Sequence, residues 1–141
     1  MAHLTQDILK CHRVAVYGTL KQGQRNHHWL EGARLLGQDR LTALTLYDLG
    51  PYPGAKAVPS SGAVVEVYAI NAEQLALLDQ LEGYAAAAPS EGLYNRAIFP
   101  TRHGEAWCYL YNPEIHEGMK IEKGDWRRPR PGQSRGQSYS G

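Results

Sequence analysis

The sequence predicts an α+β domain in which a curved or closed sheet of about five to six strands carries one main helix. Three observations lead there. Five short runs are β-branched, apolar or alternating in polarity; one segment carries both the start and stop signals of a helix; and turn residues fill several of the stretches between them.

Taken in order, Arg13–Tyr17 (RVAVY) is a β-branched run closed by Gly18. Arg40–Leu46 (RLTALTL) and Ala63–Ile70 (AVVEVYAI) alternate or run apolar and read as strands. Between them Gly50–Gly54 (GPYPG) holds two Pro and two Gly, which predicts a non-regular loop. Asn71–Gly83 (NAEQLALLDQLEG) is the helix: Asn71 is a good N-cap, Glu73 and Gln74 fall in the first turn, and Gly83 is placed to close the C-terminus. Ala85–Gly92 (AAAAPSEG) follows as a loop. Tyr94–Pro100 and Glu105–Tyr111 flank the turn residues Thr101–Gly104 and are expected to pair as a hairpin. Within it, Ala106, Cys108 and Leu110 should face one way, and Trp107, Tyr109 and Tyr111 the other. There is no internal repeat.

Charge is uneven along the 141 residues. The last fifteen (RRPRPGQSRGQSYSG, 127–141) carry four Arg and no acid, a composition that predicts a flexible, solvated tail after a domain at 1–126. With those four arginines set aside from the overall charge of +1, the rest of the chain stands at −3, which does not suit a nucleic-acid surface. A tail that touches RNA would bind with strong salt dependence and lose that binding on truncation after Trp126. No apolar run approaches the length of a membrane span, and MAHLTQDILKCHRV lacks the apolar core of a secretory signal. Cys11 and Cys108 show neither CxxC pairing nor metal-ligand spacing. The expectation is a cytoplasmic protein with reduced thiols, monomeric or weakly dimeric, with no membrane or nucleic-acid partner.

Glu82 is the informative residue. It lies four residues after Leu78 and seven after Leu75, on the apolar stripe formed by Leu75, Leu78 and Leu81. A carboxylate in the last turn opposes the helix dipole at a cost of roughly 0.3–1 kcal/mol. Burial against the stripe would favour the protonated acid further. Both effects push the pKa towards neutrality, where a carboxyl group can take up and return a proton. The plain alternative is a Glu that snorkels to solvent from a helix end.

Other motifs are weaker. Tyr17–Gly23 (YGTLKQG) follows the first strand, and a Gly there lets successive N–H groups turn towards an anion. It resembles the first half of a phosphate loop, but Gln24 and Arg25 stand where Lys and Ser/Thr would contact phosphate and magnesium. Nucleotide binding is therefore rejected; N–H groups of Gly18, Thr19 and Leu20 offered to a carboxylate remain. Asn26-His27-His28 lacks a third ligand at a recognised spacing, so no metal is expected. There is no GxSxG elbow, and Cys108, inside a strand, reads as an inert core thiol. Tyr47, Tyr52, Tyr84, Tyr94, Tyr109 and Tyr111 accompany a single Phe, which fits either a small polar pocket or half-exposed sheet edges.

Taken together, VAVYGTLKQGQRNHHWL at 14–30, LYDLGPYPG at 46–54, LLDQLEGY at 77–84, LYNR at 93–96 and EAWCYLYN at 105–112 resemble the γ-glutamylcyclotransferase-like superfamily. The closer likeness is to its branch with a YGTL loop, which includes γ-glutamylamine cyclotransferases and many small bacterial proteins. The resemblance covers about residues 13 to 126. It implies a mixed α/β barrel and a cyclising reaction without cofactor or metal. The α-amine of a γ-glutamyl amine or γ-glutamyl amino acid attacks its own γ-carbonyl, releasing 5-oxoproline and the attached amine. It implies Glu82 as the acid/base and Tyr17, Gly18, Thr19 and Leu20 as the loop that holds the glutamyl moiety. Tyr94 and Arg96 are candidate secondary contacts, Arg96 for a carboxylate, and Tyr52 a candidate for the pocket wall. The other reading is a non-catalytic module of the same fold that binds a small amino-acid ligand.

Overall fold

The computed structural model describes residues 7–127, so the tail expected at 127–141 lies outside the described residues except for Arg127. Seven strands, one α-helix and three short 3-10 turns make up the described elements that can be bounded at both ends. The strands are β1 (Arg13–Val16), β2 (Arg34–Leu41), β3 (Thr45–Asp48), β4 (Pro53–Lys56), β5 (Ala63–Ala69), β6 (Tyr94–Phe99) and β7 (Ala106–Tyr111), and the helix is α1 (Ala72–Glu82). A mixed five-stranded sheet runs β2-β5-β1-β7-β6, with β1 and β7 parallel and the other neighbours antiparallel, and β3 and β4 form a separate ribbon.

Period-two patterning places a core on each face of the sheet. Val14, Val16, Trp107 and Tyr109 pack with Leu75 and Leu78 of α1, whereas Ala15, Tyr17, Ala106 and Cys108 pack with Leu44, Leu46, Val65, Val67 and Trp126. The β6–β7 hairpin forms as expected, with Tyr94 opposite Tyr111 and Phe99 opposite Ala106.

The sheet is open, not closed into a barrel. The β3–β4 ribbon meets β7 through side chains instead of a backbone ladder. Lys56 Nζ donates to the carbonyls of Tyr111 (2.7 Å) and Pro113 (2.7 Å), and a Cβ at Gly54 would stand 2.8 Å from Tyr111 Cβ. Two further boundaries differ from expectation. Arg40–Leu46 is not one strand, because the chain turns at 42–44 and splits the run between β2 and β3. Gly50–Gly54 is only partly loop, since β4 begins at Pro53. The first part of β2 gave no alternating signal because it is an edge strand with a largely exposed face and an irregularity between Leu35 and Gly37.

The helix is bounded as its sequence predicts. Gln74 N donates to Asn71 Oδ1 at 2.8 Å, Asn71 N donates to Gln74 Oε1 at 2.9 Å, and Gly83 closes the helix at φ +70°. Leu75 and Leu78 are fully buried. Among the described residues, no helix is long and apolar enough to cross a membrane. Asn71→Ala removes both arms of the capping box and should cost about 1 kcal/mol in urea denaturation.

Candidate active site

Glu82 ends α1 half-buried and lines a cavity of about 160 Å³ between β1, the chain that follows it, and the segments at 52–53 and 93–94. That volume suits a single amino-acid-sized group, not a nucleotide. Burial, and then the nearby Asp79 carboxylate, raise the Glu82 pKa from 4.5 to about 7. Asp79, one turn earlier, is itself buried and held from three directions. Arg96 Nε donates to Oδ1 at 2.8 Å, Arg96 Nη2 donates to Oδ2 at 2.9 Å, and the Tyr109 hydroxyl donates to Oδ1 at 2.7 Å.

The loop after β1 forms the opposing wall. Tyr17 is buried, and its hydroxyl donates to the Tyr109 carbonyl at 2.7 Å. Gly18 approaches β4 so closely that a Cβ would stand 2.5 Å from Pro53 Cγ, which is why glycine is needed there. Lys21 N donates to Gly18 O at 3.0 Å, and Asn26 closes the loop on Thr19 through its backbone N–H (2.9 Å to the carbonyl) and its amide (3.1 Å to Oγ1). Two buried charges hold the far side. The fully buried Lys21 Nζ donates to Asp125 Oδ1 at 2.8 Å, and Gln22 N donates to Glu66 Oε1 at 2.9 Å. Among the described residues, no acceptor takes the N–H groups of Gly18, Thr19 or Leu20, and all three residues line the cavity.

Tyr52 and Tyr94 both line the cavity, their ring centroids 6.5 Å apart. The Tyr94 hydroxyl donates to Pro53 O at 2.7 Å, so Tyr94 also ties β6 to β4. Burial pushes the hydroxyls of Tyr17, Tyr94 and Tyr109 upward, which keeps them neutral donors. His27 and His28 each turn Nδ1 to a backbone carbonyl, that of Leu20 (2.9 Å) and that of Arg25 (3.1 Å) respectively.

A family model described as gamma-glutamyl cyclotransferase, AIG2-like, matches residues 14–128. The chain belongs to that family. Over 116 residues it is 43% identical to the γ-glutamylcyclotransferase family protein YtfP of Escherichia coli strain K12, covering 81% of this chain and 95% of that protein. Over 120 residues it is 29% identical to the γ-L-glutamyl-butirosin B γ-glutamyl cyclotransferase of Niallia circulans, covering 82% of this chain and 75% of the relative. The crystal structure of protein PH0828 from Pyrococcus horikoshii has the same fold, with a TM-score of 0.66 at 28% identity, over 80% of this chain and 87% of that one.

In this member of the cyclotransferase family, Glu82, Tyr17, Gly18, Thr19, Leu20, Tyr52 and Tyr94 converge on one cavity, and Arg96 does not. Arg96 lies two residues past Tyr94 on the same face, about 7 Å farther along β6. That places its guanidinium under the end of α1, 4.4 Å from the ring centroids of both Tyr84 and Trp107, where it serves Asp79 and Asp7. Its part is to support Asp79, not to meet a ligand. Arg25, Asn26 and Tyr109 also line the cavity and were not anticipated as site residues. Asp79 was legible in principle, because it sits three residues before Glu82 and so shares its face of the helix.

A carboxyl raised on folding destabilises the native state once ionised. Because the native state binds more protons than the unfolded chain between pH 4.5 and about 7, stability should fall as pH rises through that window. Glu82→Gln removes the penalty. Its stabilisation should be small at pH 5 and reach at most about 3 kcal/mol at pH 8, read by urea denaturation at both pH values.

Proposed function

We propose that this protein cyclises γ-glutamyl compounds to 5-oxoproline with release of the attached amine, and that Glu82 moves the protons. The observation that carries the reading is a carboxyl group with a pKa of about 7 lining an amino-acid-sized cavity whose opposing wall offers uncommitted backbone N–H groups. The name of the Niallia circulans relative, a cyclotransferase of γ-L-glutamyl-butirosin B, supports the reaction class.

The steps follow from the substrate. An ammonium is not a nucleophile, so the Glu82 carboxylate first takes a proton from the α-amine. The amine attacks the γ-carbonyl and closes a five-membered ring. The resulting oxyanion, or the α-carboxylate, is met by N–H groups of the Gly18–Leu20 loop. Collapse breaks the bond to the leaving nitrogen, which receives the proton that Glu82 carries. The carboxylate is regenerated and no water is consumed. One acid near neutral pKa suffices for both transfers, contributing on the order of 10²–10⁴-fold. The walls supply the rest by holding a flexible chain in an attack-ready shape.

Mass spectrometry after incubation with a panel of γ-glutamyl amines and dipeptides should detect 5-oxoproline. Glu82→Gln should lower kcat by about 10²-fold or more while still binding substrate, whereas Glu73→Gln, at an exposed position, should leave it unchanged. Activity of Glu82→Gln near the parent's removes the assignment. Silence of the folded parent protein across the panel points instead to a binding module. With the base form of Glu82 required, kcat/KM should rise through about pH 7 from the acid side.

A further inference from the structure

We propose that Arg25 reads a carboxylate on the leaving group, so that γ-glutamyl compounds with an acidic leaving portion are preferred over neutral or cationic γ-glutamyl amines. The inference rests on the cyclotransferase reading and adds the substrate class. Among the described residues that line the cavity, Glu82 is the sole acid and Arg25 the sole base. The two differ in placement. Burial and Asp79 are the causes that move Glu82, and the Arg25 guanidinium is not among them. Arg25 is half-buried at the mouth, where its Nη1 donates to Pro51 O at 2.8 Å on the exposed side of the 50–52 segment.

That anchor fixes one edge of a planar group that carries five N–H donors in all. The fork suits a carboxylate, which it can meet with two parallel bonds. The depth of the cavity assigns which carboxylate. The uncommitted N–H groups of Thr19 and Leu20 belong to buried residues, so the inner end has its own anion partners for the glutamyl moiety. The leaving group therefore extends towards the mouth, past Arg25. A diamine leaving group would bring an ammonium to the same place. Among the described lining residues it would find no acid there other than Glu82, whose protonation the reaction itself needs.

The test compares γ-glutamylalanine with γ-glutamylethylamide, which is the same chain without the terminal carboxylate. Affinities are measured by calorimetry on Glu82→Gln protein, with Arg25 intact, changed to Gln, or changed to Lys. With Arg25 intact, γ-glutamylalanine should bind about 10- to 100-fold more tightly, the size expected of a charge-assisted contact. Arg25→Gln should bring the ratio to within about threefold, with Arg25→Lys in between, because Lys keeps the charge and loses the fork. A ratio that survives Arg25→Gln overturns the proposal. So does equal weakening of both compounds, which would mean that Arg25 serves the glutamyl end. Absence of any preference in the intact protein, including no binding of either compound, also overturns it. A preference that depends on Arg25, found in a protein that releases no 5-oxoproline, would support the carboxylate reading while removing the cyclotransferase one.

Discussion

The pairing of Arg96 with Asp79 is the interaction on which the site depends. It is bidentate, buried, and joins the last turn of α1 to β6. The guanidinium is sandwiched by Tyr84 and Trp107, and Tyr109 of β7 adds a hydroxyl to the same carboxylate, so a helix end and two strands share one electrostatic knot. Breaking such a pair by removing one partner typically costs 3–5 kcal/mol, chiefly by leaving a buried charge uncompensated. The network is not fully satisfied, since Arg96 Nη1 has no acceptor among the described residues. An arrangement with that defect is poorly explained by stability alone. Its chemical consequence lies one turn on: the Asp79 carboxylate is kept close enough to disfavour charge on Glu82, while Arg96 and Tyr109 keep it from protonating in Glu82's place.

The opposing wall follows the same logic in backbone. The loop after β1 presents N–H groups to the cavity because its other polar groups are engaged outside it. Lys21 reaches Asp125 near the end of the described chain, Gln22 reaches Glu66 on β5, and Asn26 folds back on Thr19. Burial lowers the Lys21 pKa and Asp125 opposes that shift, so the ammonium is retained by its partner and not by solvent. A loop fixed from several sides needs little reorganisation when a charge develops beside it. The two walls are bridged where Tyr17 and Tyr94 donate to Tyr109 and Pro53, so the site belongs to the sheet and not to a single motif.

Much of this was legible in the sequence wherever the information is local. The helix at 71–83 declared both ends, and the placement of Glu82 on its apolar side followed from spacing alone. The alternation in 105–111 assigned Trp107 and Tyr109 to the helix face correctly. What escaped depends on distant partners. Arg40–Leu46 looked like one strand because nothing in RLTALTL marks the turn that the β3–β4 ribbon imposes. The sheet stays open because the ribbon attaches through Lys56, and a sequence does not say which carbonyls an ammonium will find. Arg96 seemed suited to a ligand carboxylate but found Asp79, a carboxylate supplied by the protein. Arg25 was noticed only as a residue that spoils a phosphate loop. Its place at the cavity mouth depends on Pro51, twenty-six residues away in the chain.

The central claim is that the fold holds the Glu82 carboxyl near neutrality. A titration followed by NMR of the side-chain carboxyl carbon, assigned by comparison with Glu82→Gln, measures this directly in the protein without ligand. The account predicts a midpoint of about 7, with the exposed Glu73 serving as an internal reference in the ordinary carboxylate range. A Glu82 midpoint near 4.5 would mean that the carboxyl is solvated, and would contradict both the electrostatic account of the site and the proton-transfer role built on it.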